Sequence, residues 1–272
     1  MTQVPALQIE TLVMDVVHSG GASRILDQVT LQIAPGEIVG LVGESGSGKS
    51  MTAYAIGRLL PLACQIVSGS IRVAGHDIAA LTDRSLQALR GAEIAYIFQE
   101  PMTALAPTRR VGKQLVDVLI RHTGLTHTAA RDRAIALLAD VHITDPARVF
   151  AAWPHELSGG MRQRILIAMA FSCEPTLIVA DEPTTALDVT VQAQVLALLK
   201  QLARQKGTAV LLISHDMGVI RQICQRLYVM HRGRIVEQAD TETVIQAPRH
   251  PYAQRLLSCL PERMALVTEK RT

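Results

Sequence analysis

The stretch Gly43-Glu44-Ser45-Gly46-Ser47-Gly48-Lys49-Ser50 decides the fold, because it fits the phosphate-binding pattern G-x-x-x-x-G-K-[ST]. An apolar, strand-like run at 38–42 leads into it, and a helix-like run at 51–56 follows it. Glycines let backbone N–H groups turn inward, and the helix directs its positive dipole end at the same point. We therefore expect Lys49 to reach the β- and γ-phosphates of a nucleotide and the Ser50 hydroxyl to coordinate Mg²⁺. The alternative is a Gly/Ser-rich turn that matches by chance.

Size and composition exclude several classes of protein. The chain has 272 residues, 49% of them hydrophobic, and a formal net charge of +3. This small charge argues against a dedicated nucleic-acid binder, which usually carries a strong excess of Lys and Arg. No apolar run reaches the roughly 18 uncharged residues that a membrane span needs. The first ten residues lack the basic and apolar regions of a signal peptide, so a cytosolic chain is expected.

Cysteine and histidine spacing does not indicate a metal centre. The cysteines at 64, 173, 224 and 259 are far apart and form no C-x-x-C pair, and the nine histidines are scattered. Buried free thiols are therefore the expected state of the cysteines.

The first third of the chain is predicted to be mostly β. Apolar residues nearly alternate at 7–12 and 25–33, and shorter strands are expected at 69–73 and 94–98. Asp83 is a candidate cap for a short helix ending near Gly91.

The remainder alternates between helices and strands. Helical periodicity covers about 108–172, with Val111, Leu115, Val118 and Leu119 on one face, and Ala134, Leu137, Leu138 and Val141 on another. Apolar strands at 177–180 and 209–213 flank a long helix near 189–206 that Gly207 closes. Continuous apolar strands separated by helices predict an α/β fold with a parallel sheet covered on both faces and an inserted helical subdomain.

Two carboxylates end the apolar run at 177–180. Such a strand can deliver Asp181 to Mg²⁺ opposite Ser50 and place Glu182 beside the water that attacks the γ-phosphate. Two acids that simply face solvent would be the alternative for an isolated pair, and the upstream phosphate loop favours the functional interpretation.

A second anion-binding helix start is predicted at Ser158-Gly159-Gly160. Ser158 is a good N-cap, and the glycines leave backbone N–H groups uncovered. One phosphate chain has no room for two such cradles, so this one is expected to serve a nucleotide held by another subunit. The alternative is an ordinary capped helix.

Together these stretches resemble an ATP-binding cassette (ABC) ATPase over nearly the whole chain. Lys49 and Ser50 match the Walker A positions, Asp181 matches the Walker B aspartate, and Glu182 matches the adjoining catalytic glutamate. The resemblance implies a P-loop NTPase (RecA-like) core, an N-terminal antiparallel β subdomain, and a helical subdomain inserted at about 100–172. It also implies an ABC ATPase domain at 1–247 and a short family tail at 248–272.

Further positions match the family's remaining motifs. Gln99 matches the glutamine that senses Mg²⁺ and the membrane partner. Residues 186–188 match the D-loop, and His215 matches the switch histidine that contacts the γ-phosphate. The family closes as a head-to-tail dimer on two ATP molecules. The resemblance thus implies catalytic roles for Lys49, Glu182 and His215 and Mg²⁺ contacts for Ser50, Asp181 and Gln99. The implied nucleotide-binding residues are Gly43, Glu44, Ser45, Gly46, Ser47, Gly48, Lys49, Ser50, Gln99, Ser158, Gly159, Gly160 and Asp188.

The region expected to meet adenine departs from the family pattern. Many cassettes carry an aromatic residue upstream of the phosphate-loop strand, whereas 14–21 contains no Phe, Tyr or Trp. Val16 or Val17 would offer an apolar contact and His18 a weak stack. The preference for ATP over GTP is therefore implied by the resemblance and not by these residues.

Narrower stretches resemble the ATPases of bacterial oligopeptide, dipeptide and nickel importers. They lie at 43–50, 98–105, 181–190 and 250–257. The resemblance implies two different ATPases under two separate permeases, at the cytoplasmic face of the membrane, fed by an extracytoplasmic binding protein. Longer peptide-importer ATPases often carry a further C-terminal extension, whereas this chain ends soon after Pro261. This favours the ATPase of a nickel-type or metallophore-type importer or of a compact peptide importer.

Other function classes would need features that the sequence does not show. A soluble cassette acting on DNA or ribosomes, the main alternative, usually adds coiled coils, zinc modules or a second cassette. A regulatory subunit without turnover would be expected to lack Glu182 or His215. An efflux role stays open, although the importer-like stretches argue against it.

Overall fold

A computed structural model describes residues 4–99, 104–185 and 187–258. The chain forms two compact units, one of residues 1–79 and 211–272 and the other of residues 80–210. The division falls within strand β8 (Ala209–Ile213).

The first unit contains an antiparallel sheet. Its strands are β1 (Leu7–His18), β2 (Gly21–Ile33), β4 (Cys64–Val73) and β5 (His76–Asp77), in the order β2-β1-β4-β5. Leu7 pairs with Ile33 and His18 with Gly21, so the first two strands form one long hairpin. Register shifts after Ile9 let the strands continue beyond the alternating patterns that predicted them. The predicted N-terminal β region is confirmed and is longer than expected.

The second set of strands in this unit has the order β10-β9-β3-β8. Strand β3 (Ile38–Val42) is buried throughout and runs parallel to β9 (Arg226–His231), which forms a hairpin with β10 (Arg234–Asp240). The sequence patterns did not single out β9, which is buried at 227–230, or β10, which is polar and largely accessible. The helices of this unit are α1 (Lys49–Ile56), α8 (Met217–Ile223), α9 (Thr241–Gln246) and α10 (Pro251–Ser258).

In the second unit β7 (Leu177–Asp181) runs parallel to β6 (Ile94–Ile97) and is followed in the sheet by β8. The predicted parallel α/β core is thereby confirmed, although the strand predicted to reach Phe98 ends one residue earlier. The helices, separated by a short 3-10 turn at Pro154–Glu156, are α2 (Asp83–Ala92), α3 (Val111–Thr123), α4 (His127–Asp140), α5 (Pro146–Ala151), α6 (Gly159–Ala170) and α7 (Val189–Lys206).

Two details of the predicted helices are corrected. Thr82, not Asp83, is the N-cap of α2, because its side chain accepts a hydrogen bond from the Ser85 backbone N–H. On α3, Val116 is buried and Val118 is only half-buried, whereas the predicted α4 face is buried as expected. The helical subdomain at about 100–172 and the tail at 248–272 stay predictions; α3 to α6 lie within the first range and α10 within the second. Residues 100–103, 186 and 259–272 lie outside the described residues.

A helix needs about 20 mostly apolar residues to cross a lipid bilayer. Among helices in the described part of the chain, none combines the length and the apolar character needed to cross a membrane.

Helix α7 begins and ends where the sequence predicted. Asp188 caps its start through a 2.9 Å hydrogen bond from the Val191 backbone N–H, and Gly207 ends it in the left-handed region with φ 65°. A Cβ at Gly207 would meet no atom within 4 Å, so the requirement for glycine there is conformational and not steric.

Replacing Gly207 by alanine tests this requirement. We expect the free energy of unfolding to fall by about 1 kcal/mol, the cost of a left-handed backbone with a Cβ, as measured by urea denaturation. Gly20→Ala is the matched control, because a Cβ at Gly20 would make only ordinary contacts, 3.6 Å from His18 Nδ1. Equal losses for the two variants would contradict the account.

Candidate functional site

The glycine loop between β3 and α1 closes against its neighbours at two places where no side chain fits. A Cβ on Gly43 would lie 2.2 Å from the Met230 carbonyl oxygen, and one on Gly48 would lie 2.8 Å from Leu26 Cδ2. Gly48 also has φ 111°, which disfavours any other residue. The loop is therefore shaped by tertiary contacts as well as by its own flexibility.

Helix α1 begins directly at this loop. Gly48 is its N-cap, adopts a left-handed backbone and contributes no side-chain cap. The first turn, which contains half-buried Ser50, therefore presents backbone N–H groups and a positive dipole end to the loop, as expected for a phosphate site.

The Lys49 ammonium lies inside the loop. The side chain is only 7% exposed, and Nζ donates to the carbonyl oxygens of Gly43 and Glu44, each at 2.8 Å. Ser47 Oγ is 3.5 Å from the same nitrogen. The lysine charge is thus stabilised by carbonyl dipoles at the place where the sequence predicted a phosphate chain. A buried ammonium next to a glycine-lined helix start fits an anionic ligand.

His215 follows strand β8 in the same unit as Lys49. The preceding residue, Ser214, donates its N–H to the Leu41 carbonyl of the phosphate-loop strand at 3.4 Å. Ser214 Oγ accepts the Asp216 N–H at 3.0 Å, which shapes the turn that carries His215. The His215 side chain is exposed.

In the second unit, two of the predicted site residues, Gln99 and Glu182, lie within hydrogen-bond distance of each other. Gln99 Nε2 donates to Glu182 Oε2 at 3.0 Å, and Thr185 Oγ1 donates to the same oxygen at 2.9 Å. Glu182 has φ 47°, an unfavourable backbone for a residue with a long side chain. Such strain persists where the surroundings enforce it, and it is concentrated at functional sites.

Asp181 ends strand β7 and is 7% exposed. Among the described residues no group of three or more His, Cys, Asp or Glu side chains could hold a metal ion.

The predicted second anion site lies at a helix start that a serine side chain caps. Ser158 caps α6 by accepting the Met161 N–H at 3.3 Å, and Gly159 is exposed. Gly160 packs on α7, since a Cβ there would lie 2.8 Å from Val191 Cγ1. Asp188 is exposed and caps the same helix α7, so the structure assigns it at least this structural role.

The predicted site residues fall into two groups. The phosphate loop and His215 belong to the first unit, whereas Gln99, Asp181, Glu182, Ser158, Gly159, Gly160 and Asp188 belong to the second. The sequence analysis did not identify Thr185, although this residue lies in the importer-like stretch 181–190 together with Glu182. It also missed Tyr252, whose hydroxyl accepts the Glu44 N–H at 2.8 Å. The 14–18 segment lies on β1, with Val17 and His18 exposed, and their contact with a base stays a prediction.

Comparison with known proteins agrees with this geometry. Residues 26–185 match the family model described as ABC transporter. The probable D,D-dipeptide transport ATP-binding protein DdpD of Escherichia coli K12 is 55% identical over 96% of this chain and 80% of its own. The dipeptide transport ATP-binding protein DppD of the same organism is 44% identical over 90% of this chain and 76% of its own.

A solved structure confirms the fold. The ATP-binding cassette MJ0796, described as a dimeric post-hydrolysis state bound to ADP and Pi, superposes with a TM-score of 0.76 at 28% identity. The superposition covers 86% of this chain and 98% of the cassette. The predicted P-loop NTPase fold is thereby confirmed. The chain therefore belongs to the ABC transporter family, as one of its ATP-hydrolysing subunits.

Proposed function

We propose that this chain powers peptide uptake by hydrolysing ATP beneath separate permease subunits. The observation that carries the ATPase part is the Lys49 ammonium held within the glycine loop, 2.8 Å from each of two backbone carbonyls. Peptide cargo is supported by relatives named as dipeptide and D,D-dipeptide transport ATP-binding proteins. The alternative nickel or metallophore cargo has no such support among these relatives.

Phosphate binding follows from the charge balance in the loop. A nucleoside triphosphate offers Lys49 charged phosphate oxygens in place of neutral carbonyl oxygens, and charged acceptors form stronger hydrogen bonds. The N–H groups at the start of α1 add further donors. The loop is preorganised, since the glycine contacts at Gly43 and Gly48 are present in the protein itself.

Glu182 is proposed to orient or deprotonate the attacking water. One of its carboxylate oxygens accepts from Gln99 and Thr185, which holds the side chain in one position. A held carboxylate contributes by geometry and by accepting a proton at the moment of attack. His215 is proposed to contact the γ-phosphate, and its exposed side chain is accessible for that role.

A Mg²⁺ ion would be held by Ser50, Asp181 and Gln99, where its charge would neutralise the phosphates. These residue types fit, since hydroxyl, carboxylate and amide oxygens are the ligands that Mg²⁺ prefers.

We further propose that Ser158, Gly159, Gly160 and Asp188 serve the ATP held by a second ATPase subunit. The exposed Gly159 at the start of α6 supports this, as does the dimeric post-hydrolysis structure of the similar cassette. A different ATPase as the partner, two permeases and an extracytoplasmic binding protein follow from the importer resemblance. The chain would then be a peripheral protein at the cytoplasmic face of the membrane.

The proposed assembly is tested by isolating the tagged full chain from native membranes in detergent and identifying the proteins that accompany it. Two permeases, a second ATPase and a peptide-binding protein are the expected result, with untagged membranes as the control. A nickel- or metallophore-binding protein in their place would change the cargo. Recovery with ribosomes or DNA, without permeases, would overturn the proposal in favour of a soluble cassette.

Lys49→Ala tests the phosphate contact. Loss of a charged hydrogen-bond donor should raise the dissociation constant for ATP at least about 10-fold, as measured by calorimetry. Lys206→Ala is the matched control, because it removes a lysine that pairs with Glu174 at 2.8 Å outside the site. ATP affinity that is unchanged in Lys49→Ala would disprove the assigned role.

Glu182→Gln tests the role of the carboxylate. Turnover should fall by about 100-fold or more while ATP affinity is retained, because the amide cannot accept a proton. Glu242→Gln is the control, since this exposed side chain pairs with Arg221. Wild-type hydrolysis by Glu182→Gln in the assembled transporter would exclude Glu182 as the base.

Thr185→Ala tests whether the hydroxyl positions Glu182. Loss of this 2.9 Å hydrogen bond should lower kcat roughly 5-fold, equivalent to about 1 kcal/mol, and leave ATP affinity unchanged. Thr185→Ser keeps the donor and should restore kcat. If the serine variant is as slow as the alanine variant, the hydroxyl is not what matters.

A further inference from the structure

The C-terminal helix α10 contacts the phosphate loop, which its position in the sequence does not suggest. Tyr252 lies in its first turn and is 2% exposed. Its hydroxyl oxygen accepts the backbone N–H of Glu44 at 2.8 Å. The two residues are 208 positions apart, and both belong to the first unit.

The same peptide group also binds the catalytic lysine. The amide that joins Gly43 to Glu44 donates its N–H to Tyr252 Oη, and its carbonyl oxygen accepts from Lys49 Nζ at 2.8 Å. A peptide group is planar, so fixing the direction of the N–H also fixes the direction of the carbonyl. Hydrogen bonds on the two ends of one amide also polarise each other.

Tyr252 is itself held firmly. Its ring stacks on His231 with centroids 3.9 Å apart and planes 20° from parallel. The Tyr252 N–H donates to His250 Nδ1 at 3.1 Å. The Glu237 carboxylate accepts the N–H groups of Arg249 and His250 at 2.8 and 2.9 Å, which anchors the start of α10 to β10.

The hydroxyl is chemically suited to this contact. Burial raises the pKa of the Tyr252 phenol, so the group stays neutral and its oxygen accepts from the loop without adding a negative charge beside Lys49. Packing alone would need only the ring, because Ala253 and Leu257 complete the buried face of α10. The hydroxyl therefore has a function distinct from that of the ring.

We propose that Tyr252 is a positioning residue for Lys49, acting through the Gly43–Glu44 peptide. The tail helix would thus be part of the nucleotide site, although it need not touch nucleotide. Without the hydroxyl, the Gly43–Glu44 peptide has one constraint fewer next to a flexible glycine, and its carbonyl holds Lys49 less firmly in line with the phosphates. The inference rests on the proposed phosphate-binding role of Lys49.

Tyr252→Phe in the full chain removes only the hydroxyl. We expect the ATP dissociation constant, measured by calorimetry in EDTA to prevent hydrolysis, to rise about 3- to 10-fold, the usual effect of one lost hydrogen bond. Tyr228→Phe is the matched control. It removes a buried tyrosine hydroxyl of the same unit that accepts the Gln32 N–H at 3.1 Å and donates to the Gln32 carbonyl, and it should leave ATP affinity within 1.5-fold of wild type.

The double variant Lys49→Ala/Tyr252→Phe separates positioning from general support of the loop. If Tyr252 acts through Lys49, the phenylalanine should add no further loss of ATP affinity once the lysine is gone. The same loss in both backgrounds would overturn the proposal, as would wild-type affinity in Tyr252→Phe while Lys49→Ala is weakened. If Lys49→Ala itself binds ATP normally, the role of Lys49 fails and the positioning role fails with it.

Should Tyr252→Phe not fold, Glu237→Ala gives the decisive measurement. This substitution releases the start of α10 without mutating Tyr252, so the tyrosine is held less firmly and ATP affinity should also fall. Unchanged affinity in this folded variant would overturn the proposal.

Discussion

The contact between the Lys49 ammonium and the Gly43 carbonyl is the interaction on which the proposed nucleotide site depends. It requires a loop that curls tightly enough to place carbonyl oxygens around a side chain from the following helix. That curl in turn requires Gly43 and Gly48, because a Cβ at either position would collide with Met230 or Leu26. The phosphate loop is therefore shaped from outside as well as by its own residues.

The carboxylate side of the chemistry follows the same physical logic in the second unit. Strand β7 is buried along its length and ends at Asp181, so the chain must turn sharply at Glu182, where φ is 47°. Hydrogen bonds from Gln99 and Thr185 hold the carboxylate that this strained backbone carries. In each unit, therefore, a buried strand leads into a constrained turn near one proposed functional side chain: β3 leads to the loop that holds Lys49, and β7 leads to Glu182.

Prediction from the sequence succeeded where function needs residues that are close along the chain. The glycine loop, the Ser158 cap and the helix closed by Gly207 are local patterns with one physical solution. It failed at Thr82, where neighbouring polar residues compete for one cap, and at Val116, since a helical pattern does not say how wide the buried face is. Strand β10 was missed because it is polar and largely accessible, and the sequence patterns did not single out β9.

The sequence by itself determined the family and the fold class and predicted the nucleotide-binding residues, because a phosphate loop needs contiguous residues of fixed type. Only the tertiary structure decided what holds those residues in place. Thr185 and Tyr252 carry no signature of their own, since a hydroxyl can act at any position that the fold brings within hydrogen-bond reach. The sheet order places the hairpin of β9 and β10 beside β3, and α10 follows that hairpin in the chain. The tail helix therefore contacts the phosphate loop.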